Sequence, residues 1–189
     1  MTGLVATFGS GAMTNPIPDL LNSKCIFVIG SNLAENHPIV SRWIWDAKEQ
    51  GAKVIVADPR YTPTGWMADV FLQLKPGTDV ALLNGMMHVI IKGELHNRDF
   101  VNKRTTGFAQ LQDVVARYDP ATVERITGVP ASQLQGAAEL YAKAEASAIA
   151  YCMGVTQHAT GHNYVVDCAN LAMLCGQIGR PGAGVLPLR

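Results

Sequence analysis

The sequence has no excess of charge. Fifteen basic and fifteen acidic residues cancel, whereas a surface that holds nucleic acid or anionic lipid needs a basic surplus. No uninterrupted apolar run reaches membrane-spanning length and no signal-peptide pattern opens the chain. The expectation is a soluble domain, cytoplasmic by preference, with no nucleic-acid partner and no direct membrane insertion. No C-x-x-C pair occurs, because Cys25, Cys152, Cys168 and Cys175 stand singly; that argues against a zinc knuckle or an iron–sulfur cluster in this chain. Cys168 and Cys175 lie seven apart in a helical pattern, about 10 Å along the axis, and a disulfide spans at most roughly 7 Å between Cα atoms. All four read as reduced, buried thiols. The G-x-G-x-x-G fingerprint of nicotinamide folds is missing as well.

What is present is apolar patterning. With 189 residues and 48% hydrophobic content, the chain has the length and composition of one globular domain. "CIFVIG" (25–30) is a continuous apolar run with a glycine stop, the mark of a strand buried on both faces. "KVIVA" (53–57), "VFLQL" (70–74) and "SAIAYC" (147–152) read as three more. Between the first two, "ENHP" offers Asn36 or His37 as N-cap ahead of Pro38. Ile39, Val40, Trp43, Ile44 and Ala47 then recur at helical spacing until Gly51. After "KPGTD", the stripe Val80, Leu83, Met87 and Ile90 marks another helix. Residues 94 to 146 are helical and more polar, and a last helix runs roughly from Asn163 to Ile178. No repeat, low-complexity segment or linker divides the chain.

Strands alternating with helices predict an α/β fold: a doubly wound, mainly parallel sheet with helices on both faces, a Rossmann-like three-layer arrangement over residues 1–189. In such sheets ligands bind beyond the carboxyl ends of the strands, at the switch point. Four loops should open on that edge: Gly30-Ser31-Asn32, Asp58-Pro59-Arg60, Lys75 to Asp79, and Met153 to Gln157. The first offers glycine freedom, a hydroxyl and an amide before a helix N-terminus, a setting that suits a diphosphate. Asp58 ends the second strand, where dinucleotide folds place an acid on ribose hydroxyls. Arg60 presents a planar fork for a phosphate or a base. Asp79 can pair with the adjacent N–H donors of a guanine edge, which adenine does not offer. Each also has a plainer reading: Gly30 ends a strand, Asp58 to Arg60 form a turn, and Asp79 caps its helix. His158 and His162, spaced i and i+4, resemble a zinc pair, yet Gly161 breaks the helix and no glutamate completes the motif. Met86, Met87 and Met173 read as core.

The stretches "GSNLAENHP", "GAKVIVADPR", "LKPGTDVALLNGM", "ITGVPASQL", "GVTQH" and "NLAMLCGQIGRPGAGVLPLR" together resemble the molybdenum- or tungsten-dependent formate dehydrogenases, which are bis-molybdopterin guanine dinucleotide oxidoreductases. The likeness runs through the whole chain in order, and the final block is its most specific part. It implies one internal cofactor-binding domain of a larger catalytic subunit. By that resemblance Gly30, Ser31, Asn32, Asp58, Arg60, Gly77, Asp79, Met153, Gly154 and Gln157 are cofactor contacts, and Arg189 is the arginine beside the metal that handles formate. The resemblance further implies a selenocysteine or cysteine metal ligand upstream of Met1, a [4Fe–4S] cluster outside this chain, and electron-transfer subunits as partners. No metal ligand falls within the 189 residues, so neither metal nor cofactor is expected to stay with this chain alone. The same domain of a nitrate reductase or formylmethanofuran dehydrogenase, and a non-catalytic nucleotide-binding module, are the alternatives.

Overall fold

A computed structural model gives the fold and describes residues 2–188. In chain order the elements are α1 (Thr2–Phe8), β1 (Cys25–Ile29), α2 (Leu33–Asn36), α3 (Pro38–Glu49), β2 (Lys53–Ala57), β3 (Val70–Leu72), α4 (Asp79–Lys92), α5 (Arg98–Arg104), α6 (Phe108–Val115), α7 (Pro120–Thr127), α8 (Ala131–Lys143), β4 (Ser147–Tyr151), α9 (Met153–Thr156), α10 (Gly161–Leu174) and β5 (Gly184–Pro187). The sheet order is β3-β2-β1-β4-β5 and all four pairings are parallel. From β1 the chain winds outward to β3, then returns to lay β4 against the other side of β1. The switch point therefore lies between β1 and β4.

The apolar runs have no polar alternation because both faces of the sheet are covered. Cys25, Phe27 and Ile29 point into a core shared with α4, α8 and α10. Ile26 and Val28 point the other way, against Val40, Ile44 and Ala47 of α3. Phe27 and Tyr141 meet edge-on across the larger core, 6.4 Å between ring centres. Burying both faces of one five-residue strand in this way contributes roughly 1.5–3 kcal/mol per large side chain.

The structure departs from the expectation in several places. A fifth strand, β5, adds to the edge beside β4; its Gly184 and Pro187 hide the strand pattern, and only an edge tolerates that proline. Its free side is covered by Thr14, which donates its amide to the Val185 carbonyl (3.1 Å) and accepts the Val185 amide on Oγ1 (2.8 Å). The third strand ends at Leu72 and not Leu74, because the chain turns toward α7 and the Lys75 amide donates to the Thr127 carbonyl (2.8 Å).

The polar stretch after residue 94 forms four helices, with Asn97 capping α5 and Asp119 capping α7 ahead of Pro120. Helix α10 opens at Gly161, where Asn163 was expected, and closes at Leu174. All four cysteines are buried and free. Met86 and Met87 are core, whereas Met173 is half-buried and lines a cavity.

Candidate dinucleotide site

Gly30 leaves β1 with φ +56°, and its carbonyl accepts the Gly154 amide at 3.0 Å. A Cβ on Gly30 would stand 2.7 Å from the Val155 nitrogen, and one on Gly154 would stand 2.5 Å from the Gly30 oxygen. The two loops at the switch point are thus in backbone contact that only glycine permits.

Beside them Ser31 and Asn32 are buried. The Asn32 side chain is held by Thr64, whose hydroxyl donates to Asn32 Oδ1 (2.9 Å) and accepts the Ala34 amide (3.0 Å). Ser31 Oγ is buried with no protein partner, and a hydroxyl left so inside a fold costs about 1–3 kcal/mol.

Asp58 is buried at the end of β2, and one carboxylate oxygen accepts the Arg60 amide (2.8 Å). A carboxylate has about four acceptor positions, so capacity remains for hydroxyl donors. Arg60 stands exposed at the rim. On the adjoining turn, Gly77 adopts φ +80° and its carbonyl accepts the Tyr164 hydroxyl of α10 (3.0 Å). Asp79 follows as the first residue of α4, 5% exposed. Burial pushes its carboxyl upward; its own backbone amide and the nearby His158 pull it back, and Asp58 pushes it further up. A buried carboxylate in that state gains from any ligand that brings N–H donors to it.

These loops enclose a cleft of about 260 Å³. Gly30, Ser31, Asn32, Asp58, Arg60, Gly77, Asp79, Met153 and Gly154 all line it. Gln157 does not; it caps the short helix α9 and is exposed one residue before His158, which does. Arg189 lies outside the described residues. Sequence reasoning missed Asn36, Leu74, Cys152 and His158 as lining residues, and Thr64 as the residue that orients Asn32.

The histidine pair is split: His162 Nδ1 meets the Thr2 hydroxyl at 3.3 Å, while His158 packs on the Tyr164 ring at 5.4 Å between centres. Among the described residues no group of three or more His, Cys, Asp or Glu side chains is placed to hold a metal ion, and no helix is long and apolar enough to cross a membrane. The cleft supplies acceptors, a fork and a glycine cradle, which is recognition chemistry.

The chain is a parallel five-stranded α/β domain with a cleft at its switch point, the place where such sheets bind ligands. Comparison gives it a family: residues 4–189 match the molybdopterin oxidoreductase model, and the chain belongs to that family. It is 49% identical over its full length to the F420-dependent formate dehydrogenase 1 subunit alpha of Methanococcus maripaludis, covering 28% of that subunit. To formate dehydrogenase H of Escherichia coli it is 46% identical over its full length, covering 26%. Among solved structures, acetylene hydratase from Pelobacter acetylenicus superposes with TM-score 0.88 at 30% identity, over 98% of this chain and 25% of that one. The chain therefore spans little more than a quarter of its relatives' length, and a molybdopterin cofactor goes with the family.

Proposed function

We propose that the domain holds the guanine dinucleotide arm of a molybdopterin cofactor in the catalytic subunit of a formate dehydrogenase. The observation that carries this reading is the convergence of two buried carboxylates, Asp58 and Asp79, with the unpartnered Ser31 hydroxyl around the Gly30–Gly154 contact. Those groups fit the ligand. Asp79 accepts the paired N–H donors of guanine, and Asp58 accepts ribose hydroxyls. The Ser31 hydroxyl and the Arg60 guanidinium receive the diphosphate, which the two glycines allow to approach the backbone. Met153 and Gly154 close the other side of the cleft, and Gln157 would reach the ligand only from the loop beyond its lining. When bound, the metal–pterin group supplies the two-electron oxidation of formate to carbon dioxide. Arg189 binds the formate carboxylate bidentately, a role for which a guanidinium suits because it never deprotonates. Molybdenum or tungsten, a second pterin, a [4Fe–4S] cluster and electron-transfer subunits complete the parent enzyme outside this chain.

The test is a titration of GDP and of ADP into the protein, followed by backbone amide shifts in wild type and Asp79→Ala. Shifts are expected at residues 30–32, 58–60 and 77–79 with GDP favoured, and the alanine variant should lose about 1–3 kcal/mol of GDP binding. Equal affinity for ADP removes the guanine assignment, and no shift in those loops removes the site.

A further inference from the structure

A second and larger cavity, about 430 Å³, lies between α4, α5, α6 and α10 and shares no lining residue with the dinucleotide cleft. Val80, Val101, Phe108, Leu111, Val114 and Met173 give it apolar walls. Its volume falls in the range of small-molecule sites, about 300–1,000 Å³.

Polar side chains share that lining: Thr105, Thr106, Gln110, Tyr118, Asn163 and Asn170, together with Asn84 and Asp167, the two whose bonding is incomplete. Asn84 is only 3% exposed, and its Nδ2 donates to the Val80 carbonyl at 2.9 Å and approaches Asp167 Oδ2 at 3.5 Å. Its Oδ1 is buried with no partner. Asp167, on α10, is mostly buried, and burial alone pushes its carboxyl up to about 7. No lysine, arginine or histidine lines the cavity. Tyr118 is the only other titratable group there; α4 contributes Val80 and Asn84, α5 Val101, and α6 only uncharged side chains. An unmade acceptor and a carboxylate with no counter-charge thus share one partly open hollow. Asn84 Oδ1 lacks a donor, and no lining residue brings positive charge to Asp167.

We propose that this cavity binds a small organic cation, a primary ammonium on a branched or cyclic aliphatic body, with its N–H groups shared between Asn84 Oδ1 and the Asp167 carboxylate. An ammonium has three donors and no acceptor, which matches a wall of acceptors. The aliphatic body fills the space between Phe108, Leu111 and Met173. A neutral amphiphile satisfies Asn84 but leaves Asp167 without a counter-charge. A carboxylate or phosphate ligand meets like charge once Asp167 is ionised. The inference does not rest on the dinucleotide or formate reading, because it concerns a different cavity.

The experiment titrates 3-methylbutylammonium, and 3-methylbutan-1-ol as its neutral isostere, into the full-length protein by calorimetry from pH 6 to pH 8. Only the ionised Asp167 pairs with the cation, so affinity for the ammonium should rise about tenfold across that range. The alcohol should bind more weakly and show no such rise. Asp167→Asn should weaken ammonium binding by about ten- to a hundredfold and flatten the pH profile, with thermal unfolding confirming that the variant is folded. Absence of saturable ammonium binding in the wild type overturns the proposal. So does an affinity that is independent of pH and equal in the asparagine variant. The wild-type pH series decides the matter even if the variant does not fold.

Discussion

The Gly154 amide donates to the Gly30 carbonyl at 3.0 Å, joining the loops that follow two strands 122 positions apart in the chain. Neither glycine has room for a side chain: a Cβ on either meets backbone atoms nearer than 3 Å. Gly77, on the third loop, has equally unusual backbone (φ +80°) but open space around it. Substituting alanine at the three positions therefore separates crowding from conformational strain. Gly77→Ala should cost about 1 kcal/mol, the usual penalty for a left-handed residue. Gly30→Ala and Gly154→Ala should cost about 2–4 kcal/mol and weaken nucleotide binding together, since the strand-end contact must open. Urea unfolding of the three variants checks the ranking; equal losses at all three would show that the switch-point contact is not tight.

The Asp167 carboxyl sets a pH dependence. In the unfolded chain an aspartate ionises near pH 3.9, whereas in the fold Asp167 keeps its proton to about 7. The folded state therefore binds more protons between those values, and stability falls as the pH rises through that window. The loss amounts to at most about 4 kcal/mol. Asp167→Asn should remove it, so the variant should be more stable than wild type at pH 8 and similar to it at pH 4. Thermal unfolding at the two pH values measures this, and a variant destabilised equally at both would mean that the carboxylate makes a favourable contact in the fold.

Much of this arrangement was legible in the residues. β1 showed itself because both its faces are buried, which forces a continuous apolar run. The cleft followed from the rule about strand ends, and nine of the ten cofactor positions inferred do line it. β5 was not legible: it has four residues, begins with glycine and ends with proline, and is a strand only because β4 offers it an edge. Helix α4 was read as a single apolar stripe, yet it is surrounded, with Leu82, Leu83, Met86 and Met87 all buried. That enclosure is why Asn84 is buried, and no period in the sequence betrays it. His158 and Thr64 were missed for a related reason, as their contacts depend on which loops meet in space.

Gln177 follows α10 and fastens the start of β4. Its Oε1 accepts the Ser147 amide (2.9 Å) and the Arg180 guanidinium (2.8 Å), and its Nε2 donates to the Ala144 carbonyl (3.0 Å). At 1% exposure, no solvent replaces those partners. Gln177→Ala should cost about 2–4 kcal/mol, because it leaves a strand amide and a carbonyl unpaired as well as a hollow. Amide hydrogen exchange should show faster exchange at Ser147 than in the rest of β4. Unchanged protection there would assign the anchoring to the strand ladder alone.

Arg189 is the position on which the formate assignment turns. The residue before it, Leu188, is buried and its amide donates to the Tyr151 carbonyl at 2.8 Å, so the chain is fixed to the end of β4 just ahead of the Met153–Gly154 loop. The reading is that Arg189 clamps formate with two parallel N–H bonds. Lysine keeps the charge but not the fork, so Arg189→Lys should lower formate turnover by about ten- to a hundredfold, the equivalent of one charge-assisted hydrogen bond of roughly 1.5–3 kcal/mol. Arg189→Ala should lower it further, and metal and pterin content should hold steady in both. Turnover and metal content measured side by side in the full-length enzyme separate the outcomes. Near-normal turnover in the alanine variant removes Arg189 from substrate binding, and a matching loss of metal reassigns it to holding the cofactor.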